Sequence, residues 1–253
     1  MPFTVSHAAA VLPLHRFRNL PLAALMIGSM APDFGYFFSH EASRTITHSF
    51  TGLFAFVLPV GLVVWLIYVA LLEKTTITLL PDRWHTRFAH TDALTARLVA
   101  RACIAIVFGG ITHLLWDAFT HRGTFVTEAI PFLRGPTPGF SWMPIYHLLH
   151  GLSSLAGAVI LVIWARRLHR QPARSQIRPY HITEHARRNA NRLLLGAALF
   201  GALLEWWPYM HRRYDMQFFS AAVGLLSGFF VAWCCIAVTL WIRARNARAS
   251  VRD

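Results

Sequence analysis

The chain has 253 residues, of which 55% are hydrophobic and only 14% charged, and its mean hydropathy is positive. A soluble domain of this length could not cover so much apolar surface with so few charges. The formal net charge of +13 does not point to nucleic acid, because the basic residues cluster between apolar runs and are not spread over a folded face.

Taken from the N-terminus, MPFTVSHAAAVLPLHRF lacks the basic start of a removable signal and is expected to be retained. The apolar stretch LPLAALMIGSMAPDFGYFF at 20–38 is interrupted by Gly28 and Pro32, which predicts a broken span or a re-entrant segment. Five further runs, at 51–72, 102–119, 150–165, 193–210 and 218–242, are long enough or nearly so to cross a hydrocarbon core that needs about 20 apolar residues. Between the third and fourth lies ARSQIRPYHITEHARRNANR, read as a solvated polar loop with a short helix over 182–192 that runs into the next span. Cys103 at a membrane entry and Cys234 and Cys235 in the last span suit small apolar packing, so neither a disulfide nor a cysteine metal site is expected. The expected fold is all-α: one polytopic transmembrane helical bundle over 1–253, with about five spans plus the broken N-terminal segment.

Orientation follows from Lys and Arg. The loop 73–101, the loop 166–192 and the tail 243–253 together hold 17 of the 24 such residues. Alternation of five spans puts all three on one side, and the positive-inside rule makes that side cytoplasmic, with the C-terminus in the cytoplasm. Arg16 and Arg18 remain unplaced.

This topology sorts the histidines. His7, Asp33, His40, His48, the stretch GGITHLLWDAFTHRG at 109–123, and His147 and His150 in YHLLHG flank apolar runs at the outer ends. His85, His90, His169, His181 and His185 fall in the inside loops. At about 100° per residue, His113, Asp117 and His121 align on one slowly drifting helical stripe. An acid inside an apolar span is costly unless paired, which makes the His113–Asp117 pair a functional candidate. Two ligands at i and i+4 form half of a metal clamp that other helices of a bundle can complete. Asp33 and His48 are the expected partners, although Asp33 after Pro32 and His48 between Thr47 and Ser49 also suit helix capping. Glu205 in LLEWWP, the other membrane acid, reads as an interhelical or interfacial contact.

The segments SHAAAVLPL, IGSMAPDFGYF, THSFTGLF and THLLWDAFTHRG resemble, in order and spacing, a bacterial integral-membrane family catalogued as domain of unknown function 4184. The scaffold Pro32-Asp33, Thr47-His48-Ser49 and His113-x-x-x-Asp117-x-x-Thr120-x-x-Gly123 is also similar to membrane-bound metal-dependent hydrolases of bacterial inner membranes. Through them it distantly resembles zinc-dependent phospholipase C. The resemblance implies metal ligation by His7, Asp33, His48, His113 and Asp117. The pattern departs at the later HxxxE pair, since His147 is followed by Gly151 and His150 by Ser154. One or two divalent ions, zinc foremost, are therefore expected, with His121 and His150 as additional ligands.

A metal-activated water with Asp33 or Asp117 as base would hydrolyse a phosphoester. Arg44 and Arg122, close in sequence to the ligands, would neutralise the phosphate. A site at the bilayer face favours a lipid or lipid-linked substrate, with the bilayer itself as partner and no nucleic acid. The rival expectations are a non-catalytic metal clasp and a metal transporter, the second disfavoured because the polar residues crowd at one end.

Overall fold

A computed structural model describes residues 4–14, 20–38, 44–88, 90–91, 93–170 and 178–249, without the side chains of Arg44, Arg83, Asp215 and Arg248. Arg16, Arg18 and His40 lie outside the described residues. Among the described residues the protein is all-α apart from a short hairpin, and four helical stretches are long and apolar enough to cross a membrane: Phe50–Leu79, Ala96–Ala129, Ile145–His169 and Met216–Ala247. It is a membrane protein. The chain divides into two compact units, Met1–Trp65 with Leu94–Arg166, and Leu66–Ala93 with Arg167–Asp253.

In the first unit, a 3-10 turn Thr4–His7 leads into α1 (Ala8–Val11), and α2 (Leu22–Met30) continues as a second 3-10 segment, Ala31–Phe37. The expected break in this stretch is at Pro32, where the α-helix tightens, and not at Gly28. Gly28 stays helical because α2 crosses α4 (Ala96–Thr120) with almost no gap: a Cβ there would lie 2.3 Å from the Ile106 carbonyl oxygen. Gly109 meets Leu25 and Ser29 in the same way, and small residues are what let two helix backbones approach so closely in a membrane.

The long helix α3 (Phe50–Leu79) begins at Ser49, whose hydroxyl accepts from the Gly52 N–H. It widens into a π-turn over Leu53–Val57. Pro59 accounts for this, since its ring has no N–H to donate and crowds the carbonyl four residues back, that of Ala55.

Helix α4 starts at its Thr95 cap and buries Ala102, Ala105, Ile106, Gly109, Gly110, His113 and Asp117. That spacing of three and four is a single inward stripe, so His113 and Asp117 extend the packing face toward its C-terminal end. Gly123, at φ +74°, takes the left-handed turn that ends this segment. A capping box between Thr124 and Thr127 starts α5 (Phe125–Ala129), followed by α6 (Pro131–Arg134). A hairpin pairs β1 (Pro136–Thr137) antiparallel with β2 (Phe140–Pro144). Helix α7 (Ile145–His169) follows, and its Gly157 lies against Ser6, whose hydroxyl donates to the Ser154 carbonyl at 2.8 Å.

In the second unit, α8 (Glu184–Trp206) and α9 (Tyr214–Ala249) form an antiparallel hairpin. Gly201 meets Gly224 and Gly228 meets Ala197 backbone to backbone, and this register sets α8 alongside the spanning window of α9. The short helix expected over 182–192 and the span expected over 193–210 are thus one helix. Its first turns, EHARRNANR, keep it out of the set that qualifies by hydropathy, and it gives way to a 3-10 turn at Trp207–Tyr209 around Pro208. Glu205 belongs to this hairpin, its Cβ facing Gly224.

The expectation of a purely solvated basic loop needs correction. Arg178 donates to the carbonyls of Thr78 and Leu80, Arg187 to that of Leu80, and Asn191 to that of Leu79. These side chains satisfy the last, otherwise orphaned carbonyls of α3. Asp82 pairs with both arginines. Hydrogen bonding to Arg178, with Arg187 adding its charge, holds the Asp82 carboxyl below its ordinary value.

Candidate metal centre

Four elements of the first unit each deliver one or more polar side chains to one buried place. The N-terminal 3-10 turn brings His7, the segment after Pro32 brings Asp33, the residue before the Ser49 cap is His48, and the inward stripe of α4 brings His113 and Asp117. His7, Asp33, His113 and Asp117 are all buried, His113 completely.

The facing atoms form closed triangles. His48 Nε2 and His113 Nε2 are 3.3 Å apart, and each lies 3.5 Å from Asp117 Oδ2. Asp33 Oδ1 lies 3.2 Å from His48 Nε2 and 3.7 Å from His113 Nε2. Ligand bonds of 2.0–2.1 Å in tetrahedral geometry put neighbouring donor atoms roughly 3.3–3.4 Å apart. The observed separations match the edges of such a coordination sphere. Two overlapping groups, His7 with Asp33 and His113, and His48 with His113 and Asp117, hold donor atoms within 4.8 Å of one another. His113 has one free nitrogen, so it can serve a single ion.

Supporting hydrogen bonds orient these donors. His113 Nδ1 lies 2.7 Å from the Ser29 carbonyl. A carbonyl only accepts, so Nδ1 carries a proton, and Nε2 is the nitrogen that faces Asp33, Asp117 and His48, with a lone pair to offer when the ring is neutral. Thr4 Oγ1 donates to Asp33 Oδ2 at 2.8 Å, which leaves Oδ1 for the cluster. His48 Nδ1 is 2.8 Å from the Thr47 hydroxyl, which leaves its Nε2 facing inward.

The other oxygen of Asp117 faces a second pair of rings. Oδ1 is 3.7 Å from His7 Nε2 and 3.3 Å from His121 Nδ1. The His7 ring stacks on His113 with centroids 3.9 Å apart, and its Nδ1 is buried with no hydrogen-bond partner. Burial and the neighbouring His113 push the His7 imidazole down to about 3, which keeps it neutral. His121 is the residue just past the end of α4, and His150 of α7 packs edge-on against it at 4.7 Å. His147, exposed, follows at 6.3 Å from His150.

Thus His7, Asp33, His48, His113, Asp117 and His121, expected from the sequence, do converge, and His150 stands beside His121. Neither Asp33 nor His48 is a helix cap: the Asp33 carboxylate receives Thr4, and Ser49 is the capping residue. Arg122 is exposed beyond the end of α4. The side chain of Arg44 lies outside the described residues. Sequence reasoning missed Thr4, Ser29 and Trp116. The Trp116 indole packs edge-on to His7 at 5.7 Å and donates to the Ser153 hydroxyl. The Trp116 contact lies one helical turn from the stripe and was open to inference, whereas Ser29 acts through its backbone carbonyl, which residue identity does not reveal.

Hard and borderline divalent cations take carboxylate oxygens, and zinc in particular combines them with imidazole nitrogens. The donor set, its separations and its oriented lone pairs fit such an ion. No curated protein and no solved structure matches the chain. A family model does match, over residues 1–238, and it bears out the likeness first read from the SHAAA, APDF, THSF and HLLWD segments: the chain belongs to the family described as Domain of unknown function (DUF4184).

Proposed function

We propose that the protein is a membrane-bound metal-dependent hydrolase, acting on a phosphoester of a lipid or lipid-linked substrate at the outer face of a bacterial inner membrane. The observation that carries this reading is the pair of imidazole nitrogens of His48 and His113, 3.3 Å apart, with the carboxylates of Asp33 and Asp117 each 3.2–3.7 Å from both.

His48, His113 and one of Asp33 and Asp117 would hold the metal and leave its fourth position to water, with His7 and His121 on the far oxygen of Asp117. A bound divalent cation supplies Lewis acidity and a water acidic enough to lose its proton near neutral pH. The chain's own contribution is orientation. Ser29 fixes the His113 tautomer, and Thr4 directs one Asp33 oxygen into the cluster. Whichever of Asp33 and Asp117 is left off the metal would be the base placed to take a proton from water. Arg122 and Arg44, close in sequence to the ligands, would supply the positive charge that a substrate phosphate needs.

Two features support a lipidic substrate. The site residues sit at the C-terminal end of α4 and beside the N-terminal ends of α3 and α7, so alternating spans bring them to one membrane face. The excursion between α4 and α7 packs Val126 and Leu133 inward against Ala118, while Phe125, Phe132, Phe140 and Trp142 are exposed. Aromatic residues concentrate at the headgroup level of a bilayer. With α8, which packs along α9, as a fifth crossing, alternation would put the basic loops and the C-terminus in the cytoplasm.

The test is hydrolysis of phospholipids and generic phosphodiesters by the detergent-purified protein. Activity is expected to be lost with chelator, restored by a divalent cation, and lost in Asp117→Asn, which keeps the side-chain shape while removing charge. Activity indifferent to both treatments, or no activity despite stoichiometric tight metal, assigns the cluster to a structural clasp.

A further inference from the structure

The second unit contains a groove that has no part in the metal cluster. It encloses about 810 Å³ between the segment before α8 and the last turns of α9. Along α9, Leu240, Arg243, Ala244 and Ala247 face it, and across it stand Tyr180, His181 and Ile182. The α9 residues follow a spacing of three and four, so they form one stripe on that helix. Its walls are mostly apolar, and the two polar groups able to carry positive charge, Arg243 and His181, are exposed.

Three observations identify the occupant. First, the groove is lined by the C-terminal end of the candidate spanning helix Met216–Ala247, whose 32 residues exceed the roughly 20 that a hydrocarbon core needs, so that its end reaches the headgroup layer. Second, the outer side of α9 at this level exposes Trp241 and Ile242, and the Arg245 guanidinium lies over the Trp241 ring at 5.6 Å. An aromatic ring under a cation at the end of a span is the arrangement of an interfacial anchor. Third, two neighbouring arginines of this unit are committed elsewhere. Arg178 and Arg187 are occupied by Asp82 and the carbonyls of α3, whereas Arg243 faces a cavity with apolar walls.

We infer that the groove binds a membrane phospholipid with an anionic headgroup, its phosphate on Arg243 and His181 and an acyl chain along Tyr180, Ile182, Leu240 and Ala244. Guanidinium matches phosphate in a bidentate fork, and basic pockets at the ends of membrane helices suit anionic lipid heads. The apolar floor explains why a lipid and not a free phosphate is the ligand. The site is independent of the metal reading, and its test does not use hydrolysis.

Native mass spectrometry of the full chain, released from mixed micelles of phosphatidylglycerol and phosphatidylcholine, measures this directly. Wild type is expected to retain phosphatidylglycerol in preference. Arg243→Gln should lower that retention about tenfold, the scale of losing one charge-assisted contact. Ala244→Phe, which fills the groove without touching the charge, should lower it comparably. Arg245→Gln, whose side chain lies over Trp241, should retain wild-type adducts. Circular dichroism melts verify that each variant is folded. Equal retention in all four proteins overturns the assignment, as does equal retention of both lipids by wild type. Displacement by glycerol phosphate at the concentration at which the lipid itself binds overturns it too, because it would mean that the apolar floor contributes nothing.

Discussion

Replacing Gly28 by alanine should loosen the metal centre without altering any ligand. The added methyl would lie 2.3 Å from the Ile106 carbonyl oxygen and 2.6 Å from the Ile106 Cα. Both are backbone atoms of α4 and cannot swing aside, so ordinary contact near 3.4 Å returns only if α2 and α4 part by about 1 Å. The next residue, Ser29, accepts the proton of His113 Nδ1 at 2.7 Å. A displacement of that size carries the pair to roughly 3.7 Å, beyond a hydrogen bond. Overpacking of this kind costs about 1–3 kcal/mol, and losing the partner that orients a ligating histidine weakens metal affinity about 10–100-fold. Thermal unfolding in detergent and zinc competition against a chelator of known affinity read the two effects. Gly109→Ala, at the same crossing, should behave alike, and Gly196→Ala, which has nothing within 4 Å, should match wild type. A Gly28→Ala protein that melts and holds zinc as wild type does would refute the link between the helix crossing and the His113 tautomer.

The remaining predictions concern the second unit and the topology. The folded-state value of Asp82 is depressed by Arg178 and Arg187, so its contribution is complete at neutral pH and fades as pH falls below the ordinary carboxylate value near 3.8. Asp82→Asn should therefore melt slightly below wild type at pH 7, the difference being small for so exposed a pair and shrinking as pH falls below 3.8; a difference that grows on acidification would contradict the pairing. A reporter fused after residue 253 should read cytoplasm, and one inserted within 125–140 should read the opposite side. The reverse pattern would move the cluster to the cytoplasmic face.

Most of the candidate centre was legible because its chemistry is costly in its surroundings. Asp117 in an apolar run has few uses besides pairing, and the four-residue spacing to His113 puts both on the stripe that packing later buries. Asp33 and His48 were reachable only as partners for that pair, since each alone also fits a cap. Backbone contributions were invisible: the Ser29 carbonyl and the reason for Gly28 depend on where α2 crosses α4, which no local pattern encodes. The helical register of α8 was obscured for a related reason. Its first turns are as polar as a loop, and it is the glycine contacts with α9, not hydropathy, that set it along a spanning helix. Arg178 and Arg187 look like topology signals in the sequence, and their capping of α3 emerges only from the tertiary fold. The arginines assigned to a substrate phosphate, Arg44 and Arg122, rest on proximity in sequence alone.

Metal content of the detergent-purified protein, determined by inductively coupled plasma mass spectrometry, tests the central claim most directly. Wild type should carry at least one equivalent of a divalent ion, zinc foremost. His48→Ala, His113→Ala and Asp117→Asn should each lose most of it, because removing one donor leaves an incomplete geometry, while His181→Ala in the basic segment should keep it. The same metal content in all five proteins, or none in wild type after purification and incubation with zinc, would contradict the account.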